Sequence, residues 1–215
     1  MGSSYFLDVS LLVESSICLG TGGLRYDKKI ALIPIAMDEK YKKNIFDPLT
    51  SHLASIFDAS ITILIDLPPL DSFKVLFNEQ RNQLNSDNLL QWLATTIIKE
   101  NTRSYELKNT IILGICNFDA YSSGLNFVFG QASLIGGVAA IYLPRLRQEF
   151  YGRDANTSIF IERVLKEGTH EVGHAFGLGH CSKQSCVMHF SNSLVETDHK
   201  EKDFCIVCSN KLHQK

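Results

Sequence analysis

His170-Glu171-Val172-Gly173-His174-Ala175-Phe176-Gly177-Leu178-Gly179-His180 is the stretch that decides how the rest of this 215-residue chain reads. On a helix, side chains four positions apart leave from the same face, so His170 and His174 can aim ring nitrogens at one ion about 2 Å away. Two ligands alone bind weakly. Gly177 permits a backbone with positive φ, which lets the chain turn back under the helix end and deliver His180 as a third ligand. Three imidazoles leave one position of a tetrahedral zinc open to water, the arrangement of a catalytic rather than a structural ion. Glu171, next to the first ligand, can reach that water as general base without ligating the metal.

The chain continues directly into Cys181-x4-Cys186, then, 18 residues on, Cys205-Ile206-Val207-Cys208. Four thiolates at such spacings fill a tetrahedron and leave no place for water, the signature of a structural zinc. Two zinc ions per chain are therefore expected, the second tying the tail back onto the loop that carries His180 and Met188. The rival readings are disulfides and a redox-active pair at Cys205 and Cys208, but no thioredoxin-like context surrounds that pair. Of six cysteines, four crowd into the last 35 residues, a metal-site distribution that favours the reducing cytoplasm over a secreted disulfide framework. Cys116, inside an apolar run, reads as an inert buried thiol.

Upstream, residues 29–36 form a short apolar run read as the first strand, and residues 60–66 the second. Between them, Leu49, Leu53 and Phe57 fall four apart, predicting a helix over 48–57 and a parallel strand pair joined by a crossover. Ser86 can cap a helix reaching about residue 100, with Leu89, Leu90, Leu93, Ile97 and Ile98 as its stripe and Trp92 packed beside it. Residues 110–116, 125–130 and 139–143 complete five strands. A helical pattern from 158 runs into His170 and stops at Gly177. The fold class is α/β (α+β), with a mixed five-stranded twisted sheet, packed helices and the chemistry on the last long helix.

Charge excludes some functions. Lys and Arg number 21 against 23 for Asp and Glu, so nothing draws the chain to nucleic acid or anionic lipid. Around the cysteines the basic residues are broken by Glu196, Asp198, Glu201 and Asp203, which argues against a nucleic-acid-binding zinc ribbon. No apolar run approaches the ~20 residues that span a bilayer. Residues 1–28 read as a loosely ordered extension, not a secretory signal: no Lys or Arg precedes Arg25, and Asp8 and Glu14 interrupt the apolar stretch. Residues 29–215 form one domain, expected as a monomer. Asn156-Thr157-Ser158 matches a glycosylation acceptor, a pattern common by chance.

The eleven-residue motif, Met188 as a supporting methionine turn, Cys186-x-Met188 and Cys205-x-x-Cys208 together resemble the archaemetzincins, a family of the metzincin clan of zinc peptidases. Weaker matches extend upstream: residues 33–35, Arg81, residues 124–132, residues 145–147 and Lys166-Glu167. The resemblance implies a compact metzincin fold, a peptide or small-protein substrate laid along an edge strand above the zinc, and a second zinc on the four cysteines. Residues 125–131 or 139–143 could supply that edge. One position departs: Phe190 stands where astacin-like metzincins carry a tyrosine, so a hydroxyl is missing there and His189 becomes a weak candidate for its role. The alternative to a peptidase is a zinc-dependent scaffold whose hydrolytic site is vestigial.

Overall fold

The computed structural model describes residues 28–64, 75–97, 110–133 and 137–214, and for 39–42 and 96–97 the backbone alone. The leading extension lies outside them except for Lys28, as do the expected continuations of the second strand beyond residue 64 and of the central helix beyond residue 97.

Five strands make the main sheet: β1 (Lys28–Ile35), β2 (Ala59–Ile63), β5 (Thr110–Cys116), β7 (Gly130–Ser133) and β8 (Val138–Tyr142). Their order is β2-β1-β5-β8-β7, with β7 alone antiparallel to its neighbour. Three short strands, β3 (Phe77–Asn78), β4 (Gln83–Asn85) and β6 (Ala120–Tyr121), form a second sheet that the hydrophobic pattern did not reveal.

The central strands read as unbroken apolar runs because both faces are covered. Ile30, Leu32, Ile111, Leu113, Ile115, Ala139 and Ile141 join one core cluster with residues of α1 (Glu39–Phe57) and α3 (Thr157–Ala175). The alternate residues Ile33, Ile35, Ile112, Cys116, Val138, Ala140 and Tyr142 join Leu89, Leu90 and Leu93 in the other. Trp92 packs against that second cluster, as expected of an aromatic on the central helix. Cys116 is fully buried, and burial pushes its thiol up to about 12, so it stays an unreactive thiol.

Several boundaries move. The first helix starts at Glu39, nine residues before Pro48, which sits inside it. Ile45 and Phe46 extend its buried stripe backwards, and that apolar contact outweighs the proline's lost donor. Asn85, not Ser86, caps α2 (Ser86–Trp92), accepting from the Asn88 N–H, while Ser86 is buried and accepts the Tyr142 hydroxyl at 2.6 Å. The helix then continues as a π-helical turn over Leu93–Ile97. The strand expected at 125–130 is not there. Gly124, at φ 81°, turns the chain, Leu125 is exposed, and the strand begins only at Gly130. Residues 139–143 cannot be the edge, because β8 lies between β5 and β7. Among the described residues no helix is long and apolar enough to cross a membrane.

Candidate metal centre

Helix α3 opens on Asn156, whose side chain accepts the Ile159 N–H at 3.0 Å. The glycosylation-like triplet is thus a helix cap. Its opposite end closes with paired bonds, Leu178 N–H to Gly173 O at 2.9 Å and Gly177 N–H to His174 O at 2.7 Å. Gly177 has φ 84°, which only glycine adopts at little cost, and Leu178 is buried against the helix. This left-handed stop sends the chain back so that His180 joins His170 and His174, their ring nitrogens within 4.8 Å of one another.

Each helical histidine is oriented from behind. His170 Nδ1 lies 2.7 Å from Val187 O and His174 Nδ1 2.7 Å from Leu178 O. A carbonyl only accepts, so both Nδ1 atoms carry the proton and both Nε2 atoms present lone pairs. Those lone pairs face each other at 3.0 Å, an arrangement that repels unless a cation lies between them. Tetrahedral Zn–N bonds of about 2.05 Å separate two nitrogens by about 3.3 Å, so the pair fits a shared zinc. Burial, helped by the Lys200 charge and the neighbouring imidazoles, pushes His170 well below its ordinary pKa; burial lowers His174 and His180 as well. All three are thereby held neutral, as ligation requires. Exposure rises from buried His170 through His174 to exposed His180, which leaves one side open.

Beneath the histidines, Met188 is completely buried against Gly173. A methyl group at 173 would stand 2.6 Å from Met188 Sδ, so the helix must be bare there for the methionine to pass under it. Glu171 is buried beside the cluster, and burial, with Glu167 adding to it and Lys200 opposing, holds its carboxyl well above the usual range. A cation held by neutral imidazoles opposes that burial and favours the carboxylate.

The return segment is fastened to α3 by buried charge. Arg163 grips Asp198 of α4 (Leu194–His199) through two bonds, at 2.7 and 2.6 Å, and donates to Leu146 O. Lys166 donates to Asp198 O at 2.9 Å, and Lys200 and Thr197 both donate to Glu167 Oε1 at 3.3 Å. Arg81 and Arg145 hold the segment before β7. Arg81 donates to Asn126 O at 3.0 Å, and Arg145 pairs with Asp119 while covering the Phe127 ring, so both brace the loop that leads into β7.

The four cysteines converge as a second group, all Sγ atoms within 4.8 Å. Cys181 Sγ and Cys205 Sγ are 3.8 Å apart, against about 3.8 Å for two thiolates on a tetrahedral zinc with Zn–S bonds of 2.3 Å. A disulfide needs about 2.05 Å. Cys205 caps α5 (Ile206–His213), and the Cys208 N–H lowers its thiol to about 7 despite partial burial. Burial raises Cys186 and Cys208 instead. His189 Nδ1 faces Cys181 O at 2.8 Å, and the Phe190 ring sits edge-on to His180 with centroids 5.0 Å apart.

Gly130, Gly173, Glu167 and Lys200 were not singled out for a role at the site from sequence. Gly173 lies inside the motif, where its lack of a side chain was a readable signal. Lys200 carried none, because only the fold buries it against Glu167.

Residues 27–214 match the family model described as Peptidase family M54. The archaemetzincin of Pyrococcus furiosus is 42% identical over 189 residues, covering 86% of this chain and 93% of that protein. That of Sulfolobus acidocaldarius is 47% identical over 138 residues, covering 64% and 73%. Among solved structures, a zinc-dependent peptidase from Methanocorpusculum labreanum superposes with a TM-score of 0.74 at 31% identity, covering 85% of this chain and 99% of that one.

Proposed function

The chain belongs to peptidase family M54, the archaemetzincins, and from that membership we propose that it hydrolyses peptide bonds with His170, His174 and His180 as zinc ligands and Glu171 as general base. The single observation that carries this reading is the convergence of three imidazoles beside a buried carboxylate, with exposure rising towards His180.

Zinc in that site supplies Lewis acidity, sharpening a water as nucleophile and polarising a carbonyl oxygen. The remaining roles fall to this chain's own atoms. Glu171 takes a proton on its carboxylate, its affinity for protons already raised by burial, and returns it to the leaving amine. Phe129 O accepts the Tyr142 N–H, so the ladder alternation points the backbone groups of Gly130 and Ala132 away from β8. Among the described residues no strand pairs with that edge. An extended peptide can add there as a further strand, which presents its carbonyl to the open side of the histidines.

We read the four cysteines as a second, structural zinc site and residues 29–215 as one monomeric catalytic unit. The reducing cytoplasm suits thiols that must stay unoxidised to bind metal.

Glu171→Gln tests the base. The purified zinc-loaded variant should keep its metals and lose hydrolysis of a peptide library by at least about 1,000-fold. Unchanged cleavage would overturn the assignment. Phe190, lacking a hydroxyl, favours the scaffold reading as the second possibility. That reading takes over if the wild-type protein, loaded with two zincs, cleaves nothing in the library.

A further inference from the structure

The edge strand β7 passes close against Glu171. A methyl group built at position 130 would stand 2.5 Å from Glu171 Cγ, 2.6 Å from Oε1 and 2.8 Å from Cδ. The carboxylate therefore lies in the space that a side chain on β7 would occupy. Glu171 is only 5% exposed, so it has little room to retreat.

The next residue of the strand is anchored from outside the site. Gln131 Nε2 donates to Asp87 Oδ1 at 2.7 Å, and the same carboxylate accepts the Ser122 hydroxyl at 2.8 Å and the Ser123 N–H at 2.9 Å. Burial alone would raise the Asp87 carboxyl, but the bonds from Gln131, Ser123 and Ser122 together hold it below its ordinary value, so it stays charged. Asp87 belongs to the first turn of α2, a helix fixed in the second core cluster by Leu89 and Leu90. A rigid element thus sets where β7 lies.

We propose that Gly130 is a positioning residue for Glu171, and that Asp87 holds it in place through Gln131, so that the strand offered to the substrate also sets the location of the base. The inference rests on Glu171 acting as the base. It adds a constraint that the histidine motif does not contain. Base and substrate are referenced to one piece of backbone, which keeps the carboxylate in register with the bond to be cut. A displacement of about 1 Å at a reacting group costs on the order of 100-fold in rate.

The test uses zinc-loaded enzyme and a double-mutant cycle. Gly130→Ala should lower kcat about 100-fold at unchanged metal content. Glu171→Asp shortens the side chain by one methylene, so the double variant Gly130→Ala/Glu171→Asp should be no slower than Glu171→Asp alone. Wild-type kcat in Gly130→Ala, or losses that simply multiply in the double variant, would overturn the proposal. Should Gly130→Ala fail to fold, Asp87 decides. Asp87→Ala adds no atom near Glu171 yet should lower kcat about tenfold. The exchanged pair Asp87→Asn/Gln131→Glu, which restores the bond with donor and acceptor reversed, should recover most of it. An undiminished Asp87→Ala, or no recovery in the exchanged pair, would equally overturn the idea. Glu171→Gln separates the two levels: activity retained there removes the base itself, whereas activity lost there but untouched by the strand variants removes only the positioning.

Discussion

The imidazole cluster and the thiol cluster meet at one peptide bond, between His180 and Cys181, yet they are built on opposite principles. The histidines come from a rigid helix and its immediate return, each helical ring steered by a backbone carbonyl, and exposure increases along the series so that one side stays open. The cysteines come from a loop and a terminal helix with only the short α4 between them, and Cys186 and Cys208 are closed off from solvent. A scaffold that exists without metal can spend a coordination site on chemistry. A zinc on the four thiols would add a tie to a tail that otherwise docks on the main core through Val187, Met188 and Leu212.

That contrast can be broken most severely at the closed site. If the four thiols hold a structural zinc as proposed, Cys208→Ser should lose one zinc by metal analysis and several kcal/mol of stability, on the order of 5, because a metal bound only by the folded chain adds to folding energy. An unchanged melt with both metals retained would show that the tail stands unaided. At the open site, His180→Ala should lose the other zinc and at least about 1,000-fold in activity while the melting temperature stays close to that of the parent. Loss of both metals in that variant would mean that the two clusters are one cooperative unit. Lys200→Met leaves Glu167 buried without its cation, and should cost about 3 kcal/mol in denaturant unfolding with both metals still present. A loss of zinc would make this ion pair part of metal binding.

The smallest effect separates clustered histidines from an ordinary one. His52 faces Thr169 Oγ1 at 3.0 Å on the far side of the zinc helix, and burial lowers its pKa. Below about pH 6.5 the unfolded chain takes up a proton that the folded state resists. The stability due to this residue is therefore complete above that value and declines as pH falls beneath it. His52→Asn should flatten that decline between pH 7 and 5. A slope identical to the parent's would assign the titration elsewhere.

Much of the fold was readable because apolar periodicity reports burial. The runs at residues 29–36, 110–116 and 139–143 are strands covered on both faces, and their continuous character marks them as interior. Periodicity failed where structure is held by polar contacts or single residues. The short strands β3, β4 and β6 carry too few residues to show alternation, and Pro48 hid the first half of α1. The segment at 125–130 is apolar because Phe127 and Phe129 pack against each other and Phe127 lies under Arg145, with no strand involved.

The sequence by itself determined which side chains could hold metal and which could move a proton, because those capacities reside in residue types and in spacings of four along a helix. It also determined the sharp return at Gly177, because a left-handed stop is a local property of backbone sterics. Only the tertiary structure decided what surrounds them: that Met188 fits under the bare Cα of Gly173, that Lys200 reaches Glu167, and that Gly130 of a strand forty residues earlier makes room for Glu171. Those are distances between parts of the chain far apart in sequence. No local pattern encodes them, because they are fixed by how the whole sheet and its helices pack.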